Sequence, residues 1–234
     1  MTRIIESVSE RLQAVRSRIA AAARFAGRDP AGIRLIAVSK TFPAEAIGAL
    51  AAAGQHEFGE SYVQETLPKQ AELREAGLVW HFIGPIQSNK TRSVAESFQW
   101  VHSVDRLKIA ERLAAQRPPN LPPLELCLQV NVSGEASKSG VAPGDLPALA
   151  RAVARLERVR LRGLMAIPEP TNDPAVQRAR FRALRELRDA LQAEVGTLDT
   201  LSMGMSDDLE SAVAEGATMV RVGRALFGQR PPAP

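Results

Sequence analysis

The chain holds one cysteine, Cys127, in 234 residues. One thiol excludes an internal disulfide and any cysteine-built metal cluster. Its setting in the apolar run Leu124–Val132 reads as a small core residue. The three histidines, His56, His81 and His102, do not fall at metal-ligand spacing, so no metal is expected. No apolar stretch approaches the ~20 residues of a membrane span, and the first residues lack a signal-peptide h-region. The expectation is a cytoplasmic, reduced protein with no membrane partner. Charge of one sign is lacking too: 30 Lys+Arg face 26 Asp+Glu, a net of +4. A mild excess suits a small anionic ligand. Much of it lies in helical stretches such as Arg178-Ala-Arg-Phe-Arg182, which read as a solvated face, so no nucleic acid is expected.

What is present is a large apolar fraction, 45%, with 24% charged residues, enough for one domain with a sizeable core. Ile4, Ile5, Val8, Leu12, Val15 and Ile19 recur at helical spacing. They predict a long amphipathic helix that ends near Gly27, with Asp29-Pro30 as its stop. The chain then alternates. Strands are expected at Arg34–Val38, His56–Gly59, Trp80–Ile83, Gln99–His102, Leu124–Val132, Leu161–Ile167, Thr200–Met203 and Thr218–Val222. Helices are expected between them, at Pro43–Ala53, Ser61–Ala76, Ser88–Ser97, Asp105–Gln116, Leu146–Leu156, Pro174–Val195 and Asp207–Ala214. Eight strands, each but the last followed by a clear helix, make an α/β chain of the single (β/α)8 TIM barrel type with an extra N-terminal helix. A doubly wound open sheet is the alternative. It would usually carry a Gly-rich fingerprint after the first strand, and Val38-Ser-Lys-Thr-Phe-Pro43 has none. The expected division is 1–30 for the helix packed on the barrel, 31–229 for the barrel and 230–234 for a tail.

A barrel places its chemistry at the C-terminal ends of its strands. Lys40 closes the run Arg34-Leu-Ile-Ala-Val-Ser-Lys40, where desolvation lowers an ammonium's pKa and frees the amine for Schiff-base chemistry. Strand alternation puts Ile36, Val38 and Lys40 on one face, and aims Arg221 of the last strand into the barrel. First and last strands are neighbours in a closed barrel, so both cations should meet in one cavity. An anionic ligand would relieve the cost of that. The turns after the seventh and eighth strands offer a phosphate site: Gly204 and Ser206 before a helix opening at Asp207, and Gly223 with Arg224. Ser206 is equally a good N-cap, and Asp207 and Asp208 would repel a phosphate unless they point away. A phosphorylated aldehyde bound as a Schiff base fits this set.

The order of short motifs then carries a resemblance. They are Ala37-Val-Ser-Lys40, Phe58-Gly-Glu60 with Tyr62-Val-Gln-Glu65, His81-Phe-Ile-Gly-Pro-Ile-Gln-Ser-Asn-Lys90, His102-Ser-Val-Asp105, Gln129-Val-Asn131, Ser137-Lys-Ser-Gly140, Gly163-Leu-Met165, Leu201-Ser-Met-Gly-Met-Ser-Asp-Asp208 and Val220-Arg-Val-Gly223. Running nearly end to end, they resemble the YggS/PROSC family of pyridoxal phosphate homeostasis proteins. That family is similar to the N-terminal barrel of fold-type III pyridoxal 5'-phosphate (PLP) enzymes such as alanine racemase. The resemblance implies that Lys40 carries PLP as a Schiff base and that Arg221 faces the pyridine nitrogen. It implies that Ser206, Gly223 and Arg224 hold the phosphate, that Ser202 and Met203 line the pocket, and that Lys138 lies in a segment linked to cofactor exchange. Ser61 stands where the family motif reads asparagine.

Two main functions follow as expectations: a non-catalytic PLP carrier that supplies apo-enzymes, and a racemase-like PLP enzyme. The chain stops at Pro234, just past the barrel, so the second domain that supplies a racemase's other acid/base is expected to be missing and the protein to be a monomer. A sugar-phosphate aldolase needs an acid/base beside Lys40 that the sequence does not identify.

Overall fold

The computed structural model describes residues 2–134, 139–196 and 198–228, with side chains from Val8 onward. Lys138 and the expected 230–234 tail lie outside the described residues. Eight parallel strands close into a barrel in sequence order: β1 (Arg34–Val38), β2 (Glu57–Glu60), β3 (Val79–Phe82), β4 (Trp100–Val104), β5 (Leu124–Gln129), β6 (Val159–Met165), β7 (Thr200–Ser202) and β8 (Met219–Val222). The ring shuts through β1 and β8, with Ile36 opposite Arg221. Helices α2 (Ala44–Ala52), α3 (Val63–Glu72), α4 (Thr91–Ser97), α5 (Leu107–Gln116), α6 (Leu146–Val153), α7 (Pro174–Val195) and α8 (Leu209–Ala214) form the outer layer, after α1 (Thr2–Phe25). A four-residue α9, Arg224–Phe227, follows β8 and was not expected, because so short a turn carries no periodic signal.

The strands read as near-continuous apolar runs because both faces are covered. Outward residues such as Leu35, Ala37, Phe58, Leu201 and Val220 pack under the helices. Inward, Ile36, Trp100, Cys127, Met165 and Met219 form a smaller cluster. Cys127 is fully buried there, and desolvation pushes its thiol up to about 12, so it stays protonated and inert. A Cβ on Gly163 would sit 1.8 Å from the Thr200 carbonyl oxygen, so only glycine lets β6 approach β7 there.

Helix α1 buries Leu12, Val15, Ile19 and Ala23, one stripe at helical spacing. Its polar side reaches the last units of the barrel. Arg18 makes two hydrogen bonds to the Glu210 carboxylate, and Arg28, in the turn just after the helix, donates to the Val213 and Ala217 carbonyls at 2.7 and 2.8 Å. The helix is thereby a strap across the barrel's closing seam, and it also steadies the turn before α8: Arg18 donates to the Ser206 carbonyl at 3.1 Å.

Candidate functional site

The C-terminal ends of the strands open into a cavity of about 540 Å³. That lies within the usual range of small-molecule pockets. Lys40, Ser206, Arg221, Gly223 and Arg224 line it together, with Val38, Ile83 and Ile167 as apolar wall. Phe42, stacked on Phe227 with ring centroids 4.7 Å apart, ties the loop after β1 to α9 at the rim.

Lys40 comes from the loop after β1. The strand ends at Val38, where the sequence pattern put it, and Lys40 lies two residues beyond, half-buried in the loop rather than held within the sheet. Arg221 is placed by strand alternation. It is 3% exposed, and its guanidinium donates to Ser202 Oγ at 2.6 Å and to the Ala166 carbonyl at 2.9 Å. Both partners are neutral. Desolvation pushes Arg221 down to about 10, although the nearby Asp208 carboxylate opposes the shift. At neutral pH the group is still charged, and it is a donor only.

The turn after β7 needs Gly204. Its φ is +95°, and a Cβ there would meet Ala212 Cβ at 2.5 Å, which would push α8 off the sheet. Ser206 follows in this turn but does not cap α8. The helix starts later than the sequence suggested, at Leu209, with Asp208 as N-cap residue. Asp208 instead accepts a hydrogen bond from the Met205 amide at 2.6 Å; burial raises its pKa in spite of that bond. Asp207 lines the cavity at its exposed edge, 3.6 Å from Arg224. Helices of six and four residues contribute little dipole, so anion affinity here falls to the turns and the cations rather than to a helix N-terminus.

Two expected pocket residues stand elsewhere. Met203 does not line the cavity: it continues the alternation of β7 to the outer side and packs in the core beneath the helices. Ser202 lies behind Arg221, fully buried, and meets the cavity only through that arginine. Ser61 is buried against Gly84, where a Cβ would lie 2.8 Å from the serine Cβ.

The sequence reading missed what lies below Ser202. His102 Nδ1 is 2.7 Å from Ser202 Oγ, and His102 Nε2 is 2.9 Å from His81 Nδ1. His81 Nε2 in turn lies 3.2 Å from Glu57 Oε2, short of a well-aligned hydrogen bond. Arg221 at one end can only donate and the Glu57 carboxylate at the other can only accept, which makes the rest directional. The Ser202 hydroxyl accepts from Arg221 and gives its own proton to His102 Nδ1. His102 then carries its proton on Nε2 and donates to His81 Nδ1, which leaves His81 protonated on Nε2, toward Glu57. Both rings are neutral: burial lowers His81, and burial with the fields of His81 and Arg221 drives His102 well below its ordinary value. Burial would raise Glu57, but contacts from His81 and Arg34 outweigh it and hold the carboxylate low. One signal was available: His81 and His102 fall on the inward parity of their strands, with Val79 and Trp100.

Comparison with known proteins places this geometry. The family model described as "Alanine racemase, N-terminal domain" matches residues 11–231. A pyridoxal phosphate homeostasis protein of Pseudomonas aeruginosa is 65% identical over 226 residues, 97% of each chain. The structure of PipY from Synechococcus elongatus with PLP bound superposes with a TM-score of 0.82 at 42% identity, over 94% of this chain and all of that one. Alanine racemase from Corynebacterium glutamicum, at 15% identity, shares the fold with a TM-score of 0.67 over 98% of this chain and 62% of that one. The chain therefore belongs to the alanine racemase N-terminal domain family and, within it, to the pyridoxal phosphate homeostasis proteins.

Proposed function

We propose that this chain binds PLP in cofactor homeostasis, carrying or buffering it on Lys40 in the cytoplasm and supplying it to apo-enzymes. The observation that carries the reading is the meeting of Lys40, Arg221 and the two turns at Ser206 and Gly223–Arg224 on one cavity. The donor set fits the cofactor's three polar parts. When bound, PLP supplies an aldehyde that condenses reversibly with an amine. Lys40 presents that amine. Arg221 takes the pyridine nitrogen, held by Ser202 and the Ala166 carbonyl, and does not surrender its proton. Ser206, Gly223 and Arg224 take the phosphate through a hydroxyl, backbone amides and a cation.

The same geometry argues against turnover. Abstracting a proton from a bound amino acid needs a positioned base. Among the described residues the one carboxylate that lines the cavity is Asp207, at its exposed edge beside Arg224. The closed barrel has no sheet edge to pair, which supports a monomer. Borohydride treatment of the PLP-loaded protein with peptide mapping should place the pyridoxyl group on Lys40, and apo forms of PLP enzymes should regain activity when mixed with the loaded protein. Racemisation of amino acids above the rate of free PLP, with no transfer, would overturn the reading.

A further inference from the structure

Lys40 sits between two backbone groups that a single buried cluster holds. On its N-terminal side, the Ser39 carbonyl accepts from Lys69 Nζ at 3.2 Å, and the Ser39 hydroxyl donates to Glu60 Oε1 at 2.7 Å. On its C-terminal side, the Thr41 amide donates to Glu65 Oε1 at 2.6 Å. Lys69 joins the two halves. Its ammonium donates to Glu60 Oε1 at 2.9 Å and to Glu65 Oε1 at 2.5 Å as well as to Ser39, which engages all three of its N–H groups. The Glu60 side chain is wholly buried and that of Lys69 is 8% exposed. Neither they nor Glu65 lines the cavity.

Such burial is costly, and an apolar pair of the same volume would serve the barrel as well or better. The cluster does something an apolar pair could not. Thr41 has φ +71°, a left-handed conformation that a β-branched residue adopts only where its surroundings impose it. The Glu65 carboxylate holds the Thr41 amide in that conformation, and Lys69 holds Glu65. The sharp turn at Thr41 sets where the preceding side chain points.

We propose that Lys69, acting through Glu60 and Glu65, is the positioning residue for Lys40: it clamps the backbone on both flanks so that the Lys40 amine enters the cavity. The inference rests on the PLP reading above. Glu65→Ala releases the Thr41 side of the clamp at a partly exposed position, and Lys69→Met removes its centre. Each variant is compared with the unaltered chain for PLP fixed on Lys40 by borohydride and for affinity toward pyridoxine 5'-phosphate, which has the phosphate and ring but no aldehyde. The expected result is a capture rate at Lys40 lower by about tenfold, with pyridoxine 5'-phosphate affinity changed by less than about twofold. Unchanged capture, or equal loss of both ligands, overturns the proposal. A second arm needs no PLP. Reductive methylation of the unloaded protein with formaldehyde and cyanoborohydride, mapped by mass spectrometry across pH, should show a Lys40 labelling profile that moves in both variants while that of the exposed Lys108 does not. Should the unaltered chain take no PLP on Lys40, the functional reading falls, and this arm still decides: a Lys40 profile that stays fixed sinks the clamp.

Discussion

The two mouths of the barrel balance charge differently. At the lower mouth, where the strands begin, three arginines are matched by carboxylates. Arg34 pairs with Glu57, Arg162 with Asp199 and Glu125, and Arg160 with Glu125 again. Arg34 and Arg162 also lie over the Trp100 ring, 4.9 and 5.2 Å from its centroid. At the upper mouth Arg221 is bonded to neutral oxygens, and Lys40 and Arg224 share its cavity with one lining carboxylate among the described residues, Asp207, 3.6 Å from Arg224. The difference separates structure from binding. Balanced charge closes the lower end as a plug. A cationic surplus at the upper end leaves electrostatic energy to be released when an anion arrives.

Removing Lys40 should break the upper side of this contrast most completely. In Lys40→Ala, PLP fixed by borohydride should fall to background at this position, while pyridoxine 5'-phosphate still binds through the turns and Arg221. The melting temperature should hardly move, since the side chain is half-buried at a loop. A pyridoxyl adduct that persists at full yield on another lysine would show that the cavity is not the site.

The contrast sharpens when one charge is removed at each mouth. Arg221→Met should weaken PLP and pyridoxine 5'-phosphate binding by roughly 10–100-fold, about 1.4–2.8 kcal/mol, because a charge-assisted contact is lost. Its unloaded stability should change by no more than about 1 kcal/mol, since relief of a buried charge offsets two lost hydrogen bonds. Glu125→Ala should do the reverse. It strips a carboxylate from Arg160 and Arg162, costs about 2 kcal/mol in urea unfolding after allowance for partial exposure, and leaves ligand affinity unchanged. Loss of stability in both variants, or loss of affinity in both, would dissolve the distinction.

Much of this was legible in the sequence because it rests on local periodicity. β1 and α7 fall where the pattern put them, and the β1–β8 closure that brings Lys40 and Arg221 together follows from counting strands. What was not legible depends on where an element stops or on contacts across strands. One residue of alternation decides that Ser202 turns inward and Met203 outward, and a pocket list drawn from motif order does not register it. The α8 start shifted because Asp208 spends its carboxylate on the Met205 amide. Lys69 reads as a solvated helix lysine until Ser39, Glu60 and Glu65 are seen around it. The relay from Arg221 to Glu57 draws its members from β2, β3, β4, β7 and β8, a juxtaposition that only the closed barrel creates.

That relay links the two mouths, and its response to pH is the smallest and most specific effect expected. Burial keeps His102 neutral in the folded protein, well below its ordinary pKa of 6.5, while the unfolded chain binds a proton near that value. As pH falls through 6.5 the unfolded state therefore takes up a proton that the folded state refuses, and stability is lost; above that pH the contribution is fully present. For one such histidine the loss between about pH 7.5 and about pH 5.5 amounts to about 1.4 kcal/mol. Carboxylates titrate over part of the same range, so the readout is a difference: urea unfolding of the unaltered chain and of His102→Gln at both pH values. His102→Gln should be less stable at the higher pH, having lost its bonds to Ser202 and His81, yet lose about 1.4 kcal/mol less on acidification. Nitrogen NMR should find the His102 proton on Nε2, the only placement that leaves Nδ1 free to accept from a serine already occupied by Arg221. A proton on Nδ1, or a pH slope that the substitution leaves intact, would mean that the two mouths are electrostatically independent and that the polar chain between them is only packing.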